Sequence, residues 1–406
     1  MTIGPEAYAD RDTAEAVFSA HVDPAKVDIW AMGGLQVVMG DREGATFSDA
    51  YDGRRWFNCH CNGGVFNLGH RNPRVIAAVR AAMDHADVGN HHLVSAYRAG
   101  AAERLAATTG GRLSGVVFSV GGGEAVDLAL KLARGHTGRP TIVSVNGAYH
   151  GHTGLALAAG DPRDHALWGH DLPGFVHVPF NDLAAMDAAI GDDTAAVILE
   201  SIPATAGFPM PEPGYLAGVA DLCRDRGALY IADEVQTGLG RTGSVWYVGQ
   251  EDVVPDLLVT GKGLSGGIYP IAATLMTPEV HGFFADHPFC QVSTFGGAEL
   301  GCVAAAEVVD IITAPGFLER VQAVGERLGD AFADLPFGVR RRGMLLAFVF
   351  DDEHGGMHAM KALFDEGIYA FFASYDPRVL QFKPVLTATD ADIDAIIRIV
   401  RRTFLP

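Results

Sequence analysis

With 406 residues, 49% of them hydrophobic and 19% charged, the chain is long enough for a large and a small domain around a substantial core, and too apolar for disorder. A formal net charge of −19 argues against an extended nucleic-acid footprint and against an anionic membrane surface, since both need a basic face. The five cysteines, at 59, 61, 223, 290 and 302, are too few and too irregular for a disulfide framework.

The start, "MTIGPEAYADRD", lacks the basic and greasy regions of a secretion signal. No apolar run approaches the roughly 18 residues of a membrane span. The expected compartment is therefore the cytoplasm. Further on, "GATFSDAYDGRRWFNC" predicts a hairpin about an Asp-Gly turn. "CHC" at Cys59, His60 and Cys61 has the residue types of a metal site, but no second Cys/His cluster completes four ligands at the usual spacing. Buried free thiols are the expectation, with no metal.

"VFSVGGGEAVDLALKLAR" reads as a strand, three glycines (Gly121 to Gly123) and a helix, with Glu124 and Asp127 in its first turn and Lys131 and Arg134 in its last. Glycines at a helix start let bare N–H groups approach an anion, so this is a candidate phosphate seat; a loop without a ligand is the plainer alternative. It is not a Walker loop, since no Lys-Ser/Thr follows, and Val126 stands where a dinucleotide fingerprint needs its third glycine.

Four short apolar runs follow: "TIVSV" (141–145), "AAVILE" (195–200), "ALYIADEV" (228–235) and "DLLVTG" (256–261), as expected of buried parallel strands. "GYLAGVADLCRDRG" places Leu216, Val219, Ala220 and Cys223 at helical spacing, with Gly227 at the C-cap. This βαβ pattern predicts an α/β domain with a mostly parallel sheet and helices on both faces. Asp233 and Glu234 come at the carboxyl end of a strand, where open α/β sheets gather ligand-binding groups. A buried carboxylate there needs a cationic partner: a protonated ring nitrogen, an arginine or a metal.

"VTGKGLSGGIYPI" (259–271) carries two competing signals. Gly263-Leu264-Ser265-Gly266-Gly267 matches the nucleophile elbow of serine hydrolases, but Gly267 and Pro270 stand where its helix should run. Lys262, between Gly261 and Gly263 after an apolar strand, is either a surface charge or a desolvated amine able to form a Schiff base. From Asp233 to Lys262 is 262 − 233 = 29 positions, one βαβ step, which would bring both to one sheet edge near the glycine-rich helix start. Phosphate, ring nitrogen and aldehyde of pyridoxal phosphate would each then have a partner. Beyond it, "GFLERVQAVGERLGDAFADL" and "DADIDAIIRIVRRTF" read as helices and "MLLAFVF" as a strand. The two chain ends, 1–60 and 315–406, are expected to form a smaller α+β domain beside a large one over 61–314.

At this point the chain resembles the class-III aminotransferases, the ornithine and ω-amino acid branch of fold-type I pyridoxal-phosphate enzymes. "DAYDGRRWFNC", "LGHRNPRV", "GGGEAVDLALKLAR", "AYHGHT", "LYIADEVQTGLGRTG", "TGKGLSGG" and "STFGG" carry the resemblance, in this order, over nearly the whole chain. It implies that Lys262 holds the cofactor as a Schiff base and later shuttles a proton, and that Asp233 pairs with the ring nitrogen. Gly122 and Gly123 would give N–H groups to the phosphate, and Thr294 would reach it from the neighbouring subunit of a homodimer. Tyr149 would stack on the ring with His150 beside it, Val235 would pack the other face, and Gln236 would contact the phenolic oxygen. Glu200 resembles a gate-type glutamate near the substrate.

Three departures bear on the substrate. Gly121 stands where relatives often have a serine, so a hydroxyl on the phosphate is lost. In "LQFKPVL", Gln381 replaces an arginine that grips a substrate carboxylate, with Lys383 nearby, and Ser201 follows Glu200 where a proline is usual. These lean towards an amine without a conventionally held α-carboxylate: an ω-amino acid, a diamine or an amino sugar, with a carbonyl acceptor. An epimerase or racemase shares the same site and would need a second base opposite Lys262, for which Cys59, His60 and His150 are candidates by composition.

Overall fold

A computed structural model of the chain describes residues 3–89, 93–168 and 172–405. Among them, seven strands form one sheet in the order Gly115–Ser119, Ala272–Met276, Leu257–Thr260, Leu229–Asp233, Thr194–Glu200, Thr141–Val145 and Phe175–Val178. The last five pair in parallel. Every residue of the Thr194–Glu200, Thr141–Val145 and Leu257–Thr260 strands is buried, as an apolar run covered on both faces must be. The predicted α/β architecture of fold type I, a mostly parallel sheet flanked by helices, is the observed one.

The Gly122–Thr137 helix packs Val126, Leu130 and Ala133 into the core and ends at Gly138 in the left-handed region (φ 70°). Tyr215–Arg226 ends the same way at Gly227 (φ 65°), the cap expected from the sequence. The predicted hairpin is present as Thr46–Asp49 against Arg55–Asn58. Residues from both chain ends, among them Phe47, Trp56, Leu328, Phe348 and Ile393, share one buried cluster. The closing helix Asp390–Phe404 is held by a capping box in which Thr389 and Asp392 exchange hydrogen bonds.

One strand was not foreseen and three expectations are corrected. Ala272–Met276 runs antiparallel to both its neighbours, which no local signal announced. The chain between Asp233 and Lys262 crosses to the adjacent parallel strand through a loop and a short Tyr247–Glu251 turn, not through the α-helix of a βαβ unit. The glycine-rich helix starts at Gly122 itself, so Asp127 lies beyond its first turn, where it accepts from the Ala156 N–H at 2.7 Å. The strand read as 228–235 ends at Asp233: the Glu234 N–H still donates to Val259 O on the neighbouring strand, and the Val235 N–H turns back to the Asp233 side chain.

Candidate active site

The carboxyl ends of three adjacent strands meet at one edge of the sheet, the place where open α/β sheets leave a ligand crevice. Glu200 and Asp233 are register partners on neighbouring parallel strands, so their side chains project to the same side. Lys262 follows the next strand, at φ 42°, a left-handed conformation uncommon for any residue but glycine. Its neighbours make room for it: a Cβ on Gly63 would stand 3.2 Å from Lys262 Cε. Together with Gly122, Gly123, Tyr149, His150, Gly151, Val235 and Gln236 these three line one cleft, enclosing about 470 Å³ of empty space that is partly open to solvent. Larger clefts exist, such as one around Phe18, Trp30 and Val38, but they do not bring a buried lysine and opposed carboxylates together.

Asp233 is fixed from two sides. One oxygen takes the His150 ring at 2.7 Å, and the other takes the Val235 N–H at 3.0 Å. Because the carboxylate only accepts, Nδ1 of His150 carries the hydrogen. Glu234 turns the opposite way and is satisfied by Ser201 Oγ (2.8 Å), Thr237 Oγ1 (2.5 Å) and the Val248 N–H (2.9 Å). Ser201, where a proline was usual, therefore anchors a buried carboxylate.

Glu200 accepts the N–H groups of Tyr149 (2.9 Å) and Ala204 (3.3 Å), so it braces two loops at the cleft wall. Burial, aided by Asp233 and opposed by His150, pushes its carboxyl up to about 7. Burial also brings the Lys262 amine below the usual lysine range, with Asp233 and Glu200 pulling it back. Its Nζ stands 6.0 Å from the centre of the Tyr149 ring.

At the other wall, bare backbone is packed so tightly that side chains are excluded. A Cβ on Gly123 would meet Thr153 Oγ1 at 2.9 Å, one on Gly151 would meet Gly123 Cα at 2.8 Å, and one on Gly122 would meet Val235 at 3.3 Å. The first-turn N–H groups of the Gly122 helix have no intrahelical acceptor and face the positive end of the helix dipole. Anion seat, carboxylate and desolvated amine thus surround one space. That donor set fits pyridoxal phosphate: a dianion, a ring nitrogen and an aldehyde.

The sequence-predicted residues come together in this cleft with one exception. Thr294 is exposed and lies outside its own chain's cleft. Gly151 was missed, although its position between His150 and His152 was the available signal. Ser265 is no nucleophile: its Oγ donates to Lys262 O (2.7 Å) and accepts from the Gly267 N–H (3.0 Å), and no α-helix follows. Cys59 and Cys61 are buried free thiols.

Known proteins resemble this chain over most of its length. The profile of the class-III aminotransferase family matches residues 31–404. A protein of Archaeoglobus fulgidus, named as an uncharacterized aminotransferase, is 47% identical over 95% of this chain and 93% of its own. Among solved structures, ornithine aminotransferase from Toxoplasma gondii superposes with a TM-score of 0.90 at 26% identity, covering 100% of this chain and 98% of that one; it is described with partial occupancy of pyridoxal phosphate at its active site. Acetylornithine aminotransferase from Elizabethkingia anophelis gives a TM-score of 0.79 at 25% identity over 94% and 98%.

Proposed function

The chain belongs to the class-III aminotransferases, enzymes that transfer amino groups with pyridoxal phosphate, and from that premise we propose that Lys262 carries the cofactor and that the donor is an amine whose α-carboxylate, if it has one, is not clamped by an arginine. When bound, the cofactor supplies an aldehyde that condenses with amines and a ring that accepts the electron pair of a broken C–H bond. Lys262 is placed to bond the aldehyde carbon and, once displaced, to hold and move a proton. Its burial favours the neutral, proton-accepting form. Asp233, braced by His150 and Val235, keeps a negative charge where the ring nitrogen needs one. Gly122 and Gly123 offer N–H groups to the phosphate, Tyr149 and Val235 bracket the ring, and Gln236 meets its phenolic oxygen.

The observation that carries the substrate reading is at Gln381. Where an arginine would fork onto a carboxylate, this amide is 6% exposed and already engaged, its Oε1 taken by Lys383 Nζ at 2.5 Å. An ω-amino acid, a diamine or an amino sugar fits a site without that fork, and the net charge of −19 favours a cationic amine. Epimerisation needs a second base. His150 is committed to Asp233, burial pushes the Cys59 thiol well up, and burial with the nearby Lys383 and Lys262 holds the His60 imidazole well below its ordinary range, so none of the three is a ready base. The exposure of Thr294, beside exposed Phe289, Val292 and Phe295, supports a homodimer in which Thr294 reaches the partner's phosphate site. The proposed compartment is the cytoplasm.

The test is the visible spectrum of the cofactor-loaded protein against glutamate, ornithine, a diamine and an amino sugar, with Lys262→Ala alongside. Bleaching by the ω-amines, coupled to amino transfer, is expected. Equal or faster bleaching by simple α-amino acids refutes the substrate reading. A borohydride-stable cofactor adduct on Lys262→Ala refutes the assignment of the lysine.

A further inference from the structure

Lys383 has no part in the sequence-derived roles, yet it is a lysine with 0% exposure beside the active site. Its Nζ donates to Gln236 Oε1 at 2.9 Å and to Gln381 Oε1 at 2.5 Å, and it stands 5.0 Å from the centre of the buried Phe208 ring. Two amide oxygens and a ring face account for its three N–H directions. It is therefore not free to act as a substitute clamp for a substrate carboxylate. The charged and titratable groups felt at its head are Lys262, Arg241, Cys61 and Glu200, and His60 feels it in turn. No carboxylate forms an ion pair with it among the described residues.

A lysine head presents N–H groups in either protonation state, whereas an amide has one accepting and one donating end. Here Lys383 Nζ donates to the Gln236 oxygen, so the Gln236 NH2 points the other way. Gln236 lines the cleft together with Lys262 and Val235. We propose that Lys383 is a positioning residue: it sets the Gln236 amide with its Nε2 donor towards the cleft, ready for an anionic oxygen of the bound ring. This rests on the reading that Gln236 meets the cofactor's phenolic oxygen. Gln381 is oriented by the same head, and its Nε2 turns to Phe372 O at 3.4 Å.

The experiment follows the pH midpoint of the visible absorption of cofactor-loaded protein for Lys383→Met, Gln236→Met and the double variant, with thermal melting as the folding control. Removing a donor from an anionic oxygen makes the oxygen and the imine that shares its proton more basic, so the midpoint rises. Gln236→Met is expected to raise it by roughly one pH unit. Lys383→Met should raise it in the same direction, and the double variant no further than Gln236→Met alone. If Gln236→Met is silent, the reading of Gln236 falls and the proposal with it. If Gln236→Met shifts the midpoint and Lys383→Met does not, the proposal alone is overturned. A Lys383→Met shift that persists undiminished in the Gln236→Met background also overturns it, because the lysine then acts through its own charge. Should Lys383→Met not fold, Lys383→Gln keeps one donor, and a smaller shift is expected. Its absence counts against the proposal equally.

Discussion

The bond between His150 and Asp233 makes a sharp prediction. Replacing His150 by Phe keeps a flat ring in the same pocket and removes the Nδ1 donor, 2.7 Å from a carboxylate that is 4% exposed. Asp233 keeps only the Val235 N–H, with Glu200 close by as a second negative group. A hydrogen bond to an ionised group contributes about 1.5–3 kcal/mol, a factor of roughly 10 to 150 in any equilibrium that needs the ionised carboxylate. Pyridoxal phosphate binding is such an equilibrium, because its ring nitrogen is to be held protonated by Asp233. His150→Phe should therefore weaken cofactor binding by that factor, read by titrating apo protein and following tryptophan fluorescence. His150→Asn is the control, since its amide nitrogen falls near the place of Nδ1 and should recover most of the loss. Binding by His150→Phe within about threefold of the parent, or by His150→Asn no better than by His150→Phe, would refute the reasoning.

The raised Glu200 carboxyl sets a pH dependence. Its folded value near 7 lies above its ordinary 4.5, so the folded state holds the proton longer and stability falls as pH rises between those values. The difference of 2.5 units caps this loss at about 3 kcal/mol. Glu200→Gln should flatten that part of the melting-temperature profile between about pH 4.5 and 7, and a profile unchanged in slope would count against it. Gly123→Ala places a methyl 2.9 Å from Thr153 Oγ1 in the anion seat, so Thr153 must shift and cofactor affinity should drop at least about tenfold, with a modest fall in melting temperature from the same overlap. Unaltered affinity would remove the phosphate from that wall. Ser265→Ala should lose about 1 kcal/mol of stability from its two backbone hydrogen bonds and retain amino transfer; abolished transfer in a folded variant would reopen the nucleophile reading.

Why so much of the cleft was legible follows from the sheet. In a parallel sheet the functional groups collect at the strands' carboxyl ends, so apolar runs ending in Glu200, Asp233 and the turn at Lys262 locate an edge without any knowledge of contacts. Glycines before a helix announce the anion seat for the same kind of local reason. What stayed hidden depends on distant partners. Arg241 is fully buried, with its guanidinium on Asn67 Oδ1, Met344 O and Pro384 O, and none of these is near it in sequence. Lys383 reads in "LQFKPVL" only as a point charge near the replaced arginine, and only the fold shows amides from two segments closing over it. That Asp233 faces the cleft and Glu234 faces away follows from strand alternation, while the role of Glu234, held by Ser201 and Thr237, was not legible.

Burial pushes Glu200, Lys262 and Lys383 towards their neutral forms, and this has a consequence for the cofactor-free protein. Asp233 and Glu200 stand together on neighbouring strand ends, whereas Lys262, Lys383 and Arg241 lie close enough to one another that the first and last both depress the Lys383 amine. Among the described residues no carboxylate forms an ion pair with any of those three cations. A group held towards its neutral form by burial is favoured in its charged form again when an opposite charge arrives beside it. A ligand with a phosphate for the helix start, an anionic phenolic oxygen for the Gln236 side and a cationic ring nitrogen for Asp233 matches the pattern group by group. Binding therefore stabilises the fold by the mass-action linkage common to any ligand, and because it shifts the protonation of these groups its affinity should depend on pH.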